Sequence, residues 1–175
     1  MNQKHKIVTE IDCPEKWEST NDYNSHRELL WLALENTYGN VVELGSGEGS
    51  TFNIRNVCEK EKRQFSSYES NFEWAKKMGS TWVSDWDIPA RVLDVWKPCD
   101  LLFIDHAPGE HRKTAIEKMK GSSNVLVVHD TEKGAEYVYG MSEILSTFKY
   151  RLDYQPIGKP HTTAVSNFID VSTWI

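Results

Sequence analysis

The sequence has no apolar run approaching the ~20 residues needed to span a bilayer, so it predicts no membrane helix. Its opening, Met1 to Lys6, is polar and basic with no hydrophobic stretch behind it, which argues against a signal peptide. Cysteine is scarce: Cys13, Cys58 and Cys99 are odd in number, far apart and in no metal-ligand spacing. A reducing compartment, the cytoplasm, is the simplest expectation. Basic residues are outnumbered, 20 Lys plus Arg against 26 Asp plus Glu, for a net charge of −6. An acidic chain without a basic stripe makes bulk nucleic acid an unfavourable partner. No Pro/Gly/Ser linker, internal repeat or low-complexity segment divides the 175 residues, which suit one domain.

What the chain has in quantity is tryptophan, seven residues, with aromatics at 11%. Large rings help a short chain bury area, and some of them suit the lining of a site. The first twenty residues, through Thr20, carry no clear periodicity and read as an arm or lid ahead of a single domain over 21–175. From there apolar runs alternate with helical patterns. Ser25 to Glu28 has the form of a capping box opening a helix that Gly39 closes. Val41–Leu44 reads as a buried strand, Ser50 to about Lys62 as a helix, and Gln64–Glu69 as the next strand. Ser70 to Glu73 repeats the capping-box form before a helix to Met78, and Thr81–Ser84 is a weaker strand. Leu101–Ile104 and Asn124–Val128 are continuous apolar strands, separated by a helix from Pro108 to Lys120. A helix from about Ala135 to Phe148 precedes two alternating segments, Tyr150–Gln155 and Thr162–Ile169, too close for a crossover helix and so paired as an antiparallel hairpin. The expectation is a doubly wound α/β fold, a mostly parallel seven-stranded sheet with helices on both faces.

In such a sheet ligands bind at the carboxyl ends of the strands. After the first strand of the domain comes Glu43-Leu44-Gly45-Ser46-Gly47-Glu48-Gly49-Ser50-Thr51, whose glycines let the backbone approach a ligand ahead of a helix N-terminus. After the second comes Glu69, a carboxylate suited to both hydroxyls of a ribose. A glycine turn with a solvated glutamate is the plainer reading, but turn, spacing and acid together favour a nucleoside site. The dinucleotide spacing G-x-G-x-x-G is absent, and Glu43 and Glu48 beside the turn would repel a pyrophosphate while suiting a ligand with a cationic end.

The segment Val42 to Ser50 resembles motif I of the class I S-adenosylmethionine-dependent methyltransferases, and Tyr68-Glu69-Ser70 resembles their ribose-binding acidic position. The terminal hairpin is similar to theirs too, so the resemblance runs from about Asn21 to the C-terminus. It implies that Glu43 and the turn Gly45, Ser46, Gly47, Gly49, with Ser50 and Thr51 behind it, lie along the methionine part of S-adenosyl-L-methionine, and that Glu69 holds the ribose. Ser84, Asp85 and Trp86 fall where the family contacts adenine, although Trp86 also suits the core and Asp85 a turn.

Asp105, after the fourth strand, resembles the acidic residue near the methyl-bearing sulfur. Some small-molecule members, catechol O-methyltransferase among them, bind Mg²⁺ there, and Asp105 with Asp130 resembles that pattern except that Thr131 stands where an asparagine belongs. A divalent metal is therefore open but not favoured, and the metal-free course makes His106 or His129 the base, with Asp105 and Asp130 beside them. His26 either reaches over the cofactor or caps its helix, and the charged turn Gly109–Lys113, which includes Arg112, could meet an anionic substrate but reads more simply as solvated. Methyl transfer to a small-molecule acceptor, at O or N, is the function expected. A protein acceptor stays open, as does a homodimer completing the pocket. The rivals are a protein that binds the cofactor without transferring methyl and, further off, an NAD-type oxidoreductase.

Overall fold

A computed structural model describes residues 3–86 and 97–175. Its centre is an eight-stranded sheet built from β1 (Lys4–Val8), β2 (Val41–Leu44), β3 (Phe65–Glu69), β4 (Thr81–Trp82), β5 (Cys99–Ile104), β6 (Ser123–His129), β7 (Tyr150–Tyr154) and β8 (Thr162–Ser166). The spatial order is β1-β7-β8-β6-β5-β2-β3-β4. Only β8 runs antiparallel, paired with β6 on one side and β7 on the other. The order reverses between β2 and β5, whose residues pair from Val41–Leu101 to Leu44–Ile104, so their carboxyl ends lie side by side. That is the switch point where a crevice opens.

The unbroken apolar runs are explained by burial on both faces. In β5, Leu101 and Phe103 face one core while Leu102 and Ile104 face the other; in β6 the same division separates Val125 and Val127 from Leu126 and Val128. One face is covered by α1 (Arg27–Glu35) and α2 (Thr51–Glu61), through Leu29, Leu30, Ala33 and Ile54. The other is covered by α4 (His111–Met119) and α6 (Ser142–Ser146), through Ala115, Ile116, Met119 and Leu145. Two further short helices, α3 (Phe72–Met78) and α5 (Lys133–Tyr139), follow β3 and β6. Among the described residues no helix is long and apolar enough to cross a membrane.

Several expectations need local correction. The sheet has eight strands rather than seven, because Lys4–Val8, inside the segment expected as an arm, pairs in parallel with β7. The same segment carries a short 3₁₀ turn, Glu15–Trp17, that delivers Trp17 into the α1 side of the core. The capping box expected at Ser25 is instead formed by Asn21 and Asn24, and Ser25 is turned inward. The cap of α3 is Asn71, one residue later than expected, accepting from the Trp74 N–H at 3.0 Å. The single helix expected over 135–148 breaks in two at Gly140, whose φ of +58° ends α5.

Trp17 is 1% exposed. Trp17→Ala is expected to destabilise the protein by about 3–5 kcal/mol, the usual cost of removing a fully buried large ring. Deleting residues 1–20 should likewise lower the denaturant midpoint. Urea unfolding followed by far-UV circular dichroism checks both.

Candidate functional site

The turn from β2 into α2 is built by its glycines. Gly45 has φ +89°, and a Cβ on it would lie 2.4 Å from the His106 Cα, so the turn packs directly on the chain leaving β5. Gly49 faces the start of α1, where a Cβ would approach Asn24 to 3.0 Å and the His26 ring to 3.5 Å. At Gly47 a Cβ would meet nothing closer than Ser50 Oγ at 3.8 Å, and the residue lines an open cleft. The turn is rigid: the Gly47 N–H donates to Thr51 Oγ1 at 2.9 Å, and the Ser46 N–H donates to Glu69 Oε2 at 3.1 Å.

Glu43 lies beneath this turn, fully buried, and accepts from the hydroxyls of Ser50, Thr51 and Ser67. Glu43, Ser50 and Thr51 thus brace one another. Burial pushes the Glu43 carboxyl up to about 7, with the three hydroxyl donors pulling the other way. Glu69 ends β3 with its second oxygen accepting from the Asn71 N–H at 2.8 Å. Of the residues expected near adenine, Ser84 and Asp85 are exposed at the rim. Trp86 is buried, donates to the Ala107 carbonyl at 2.8 Å and sets its ring 4.3 Å from that of His106.

The ends of β5 and β6 carry a charged cluster centred on Arg112. This arginine, expected to be solvated, is 5% exposed. It donates to the carbonyls of His106 and His129 and pairs with Asp105 Oδ1 at 3.0 Å and Asp130 Oδ2 at 2.9 Å. Asp105 and Asp130, the candidate Mg²⁺ pair, are therefore bridged by a guanidinium. His129 Nδ1 lies 3.1 Å from Asp105 Oδ1, and its Nε2 lies 2.9 Å from Ser25 Oγ. The Ser25 hydroxyl lies between the Asp22 carbonyl, at 3.1 Å, and His129 Nε2. Burial disfavours the charged form of His129, but the charge and hydrogen bond of Asp105, with Asp130, raise its pKa. In return His129 and Arg112 hold Asp105 at about 2 against the opposing effect of burial. Ser25–His129–Asp105 has the connectivity of a nucleophile–base–acid relay, yet Ser25 is fully buried and offers no nucleophile to solvent.

Only part of this cluster meets the cleft. The cleft has a volume of about 510 Å³ and is bounded by Tyr23, Asn24, His26, Arg27, Gly47, Gly49, Trp74 and Asp105. His106 lies fully buried under Trp86, and burial holds it neutral with a pKa near 3. His26 borders the cleft with Nδ1 3.8 Å from Asp105 Oδ2; burial, then the neighbouring His129, lower its pKa to about 3. Arg27, Trp74 and Arg112 were not foreseen as site residues. Arg27 Nε donates to the Gly49 carbonyl and Trp74 Nε1 to that of Ser46, so both hold the turn. A second cavity, about 790 Å³, opens beyond β6 between α5 and the terminal hairpin, lined by Thr131, Lys133, Tyr137, Arg151, Gln155 and His161 among others.

No family model matches the chain, and no curated protein matches its sequence. Among solved structures it is similar to cofactor-bound Rv0187 from MTB, with 15% identity and a TM-score of 0.62 over 89% of this chain and 84% of that one. It is also similar to the SAH-bound methyltransferase PaMTH1 of Podospora anserina, with 14% identity and a TM-score of 0.53 over 81% and 77%. The T. thermophilus 16S rRNA N2 G1207 methyltransferase RsmC, solved with AdoMet and guanosine, gives 13% identity and 0.51 over 79% and 38%. At these identities the likeness is one of fold. The chain has the fold of the class I S-adenosylmethionine-dependent methyltransferases.

Glu43 supplies a test of the network under the turn. Its folded value lies above the ordinary 4.5, so between about 4.5 and 7 the folded state keeps a proton that the unfolded chain has lost. Stability should fall as pH rises through that window, and Glu43→Gln should flatten the fall. A remaining decline above about 6.5 belongs to His129, whose raised pKa makes its contribution fade with rising pH. Urea midpoints from pH 4.5 to 8 for both proteins check the sign.

Proposed function

We propose that this chain is an S-adenosylmethionine-dependent methyltransferase that methylates O or N of a small-molecule acceptor. The observation that carries the reading is the glycine turn between β2 and α2 facing a cleft, with the Glu69 carboxylate at the end of the neighbouring strand. The residues fit the cofactor on two counts. A side chain at Gly47 would stand in the cleft, so the bare backbone there serves a closely approaching ligand. Glu69 Oε2 accepts the Ser46 N–H and keeps a further lone pair for a ribose hydroxyl. Ser84 and Asp85 at the rim remain candidates for the adenine edge, with Trp86 behind them.

When bound, S-adenosylmethionine supplies an electrophilic methyl group on a cationic sulfur. The chain's share is positioning and electrostatics. Asp105, kept anionic at the cleft floor by Arg112 and His129, favours a positive ligand there. His26, neutral and facing the same space, is placed to orient the acceptor's donor group.

A net charge of −6 supports a small molecule over nucleic acid. The likeness in fold to RsmC, an rRNA methyltransferase, makes an RNA acceptor the second reading.

Calorimetric titration with S-adenosylhomocysteine is expected to give a single site. Glu69→Gln should weaken it by roughly 1.5–3 kcal/mol, the usual worth of a hydrogen bond to a charged group. Gly47→Val should weaken it through steric exclusion while keeping its thermal melt, whereas Glu69→Gln, which sets an amide NH2 against a backbone N–H, should also lower the melt modestly. Unchanged isotherms would remove the cofactor assignment. Turnover against a panel of hydroxyl and amine compounds and a structured RNA then separates a transferase from a cofactor-binding protein.

A further inference from the structure

Three donor side chains converge under the cleft without an assigned joint role. His26, Asp105 and His129 each offer a ligand atom, and these atoms lie within 4.8 Å of one another. His26 is 2% exposed, yet neither of its ring nitrogens has a hydrogen-bond partner. Buried polar groups are nearly always paired, so an imidazole left this way beside a carboxylate calls for an explanation. The other two donors are oriented from behind. Ser25 holds His129 through Nε2, which leaves Nδ1 turned toward the cluster. Arg112 holds Asp105 through Oδ1, which leaves Oδ2 turned toward His26 at 3.8 Å. Contacts of this kind fix the tautomer and orientation of metal ligands.

We propose that His26, Asp105 and His129 form a site for a divalent transition-metal ion whose remaining coordination positions open into the cleft. Two imidazoles and one carboxylate suit Zn²⁺, Co²⁺ or Ni²⁺, whereas Mg²⁺ prefers oxygen donors. Asp130 is not among the ligands, since its carboxylate stands outside the three converging ligand atoms. The His129 Nδ1 proton, now shared with Asp105, leaves to solvent as the ion takes its place. Small side-chain rotations bring the three atoms to the ~2.0–2.2 Å that nitrogen and oxygen ligands require. A Lewis acid at this point would favour an acceptor whose hydroxyl or thiol ionises on coordination. That last consequence rests on the methyltransferase reading; the ion site itself does not.

The test uses the full, untagged chain with neither cofactor nor acceptor added. Cobalt(II) chloride titrated in the visible range should give one saturable site with ligand-field bands, and zinc chloride in weak buffer should release protons. His26→Ala should weaken both at least tenfold, with His26→Gln as the second variant if alanine lowers the melt. His111→Ala, outside the cluster, should leave affinity unchanged. Absence of saturable binding up to millimolar Co²⁺ and Zn²⁺, or equal affinity in the His26 variants, overturns the site. Displacement of Co²⁺ by Mg²⁺ at comparable concentration overturns it as well, because it would mean an oxygen-donor site. Loss of S-adenosylhomocysteine binding with Co²⁺ binding intact would sink only the transferase reading.

Discussion

The guanidinium of Arg112 between two strand-end carboxylates is the interaction on which the site depends. A buried charge is costly unless paired and hydrogen-bonded. Here the carboxylates of Asp105 and Asp130 face the Arg112 guanidinium and the His129 imidazole at the ends of β5 and β6. Arg112 also takes the carbonyls of His106 and His129, so it joins the first turn of α4 to both strands. Through His129 the network reaches Ser25 and hence the approach to α1. Removing any one member would strand its partners' charges in the interior, which is why the four behave as one unit.

That unit sets the character of the cleft. Asp105 is the one member that lines the cleft, and it is fixed in its anionic form. On the same cleft the glycine turn presents bare backbone at Gly47. Glu43, Ser50, Thr51 and Ser67 lock the underside, while Trp74 and Arg27 fasten the carbonyls of Ser46 and Gly49. The division leaves Gly47 facing open space on a rigid support, the combination that close backbone recognition of a ligand needs.

The two arrangements explain why candidate residues of the same type have different fates. His26, His106 and His129 all lie near the switch point and are all buried. Two carboxylates beside His129 raise its pKa against the effect of burial. His106 is neutral beneath the Trp86 ring, and His26 is neutral with its nitrogens unengaged at the cleft wall. Chemistry at this site therefore follows from neighbours contributed by distant segments rather than from residue type.

Much of the fold was legible from one-dimensional pattern. Continuous apolar runs such as Leu101–Ile104 have meaning only for strands covered on both faces, and the short spacing between the last two strands forces them antiparallel. The turn and the acid twenty residues beyond it, Gly45–Gly49 and Glu69, are likewise local signals. What the pattern could not carry is partner choice across the sheet. Lys4–Val8 begins with three consecutive polar residues and has no buried face to announce a strand, and it becomes one only because the edge of β7 offers unpaired backbone groups. Arg112 reads as an exposed residue in a charged run, since only the adjacency of β5 and β6 brings two carboxylates onto it. Sequence by itself determined the strand–helix alternation and the glycine turn, because these follow from local backbone sterics and burial periodicity. Tertiary structure alone decided the protonation of the three histidines and the shape of the cleft, because both are set by desolvation and by charges that are remote along the chain.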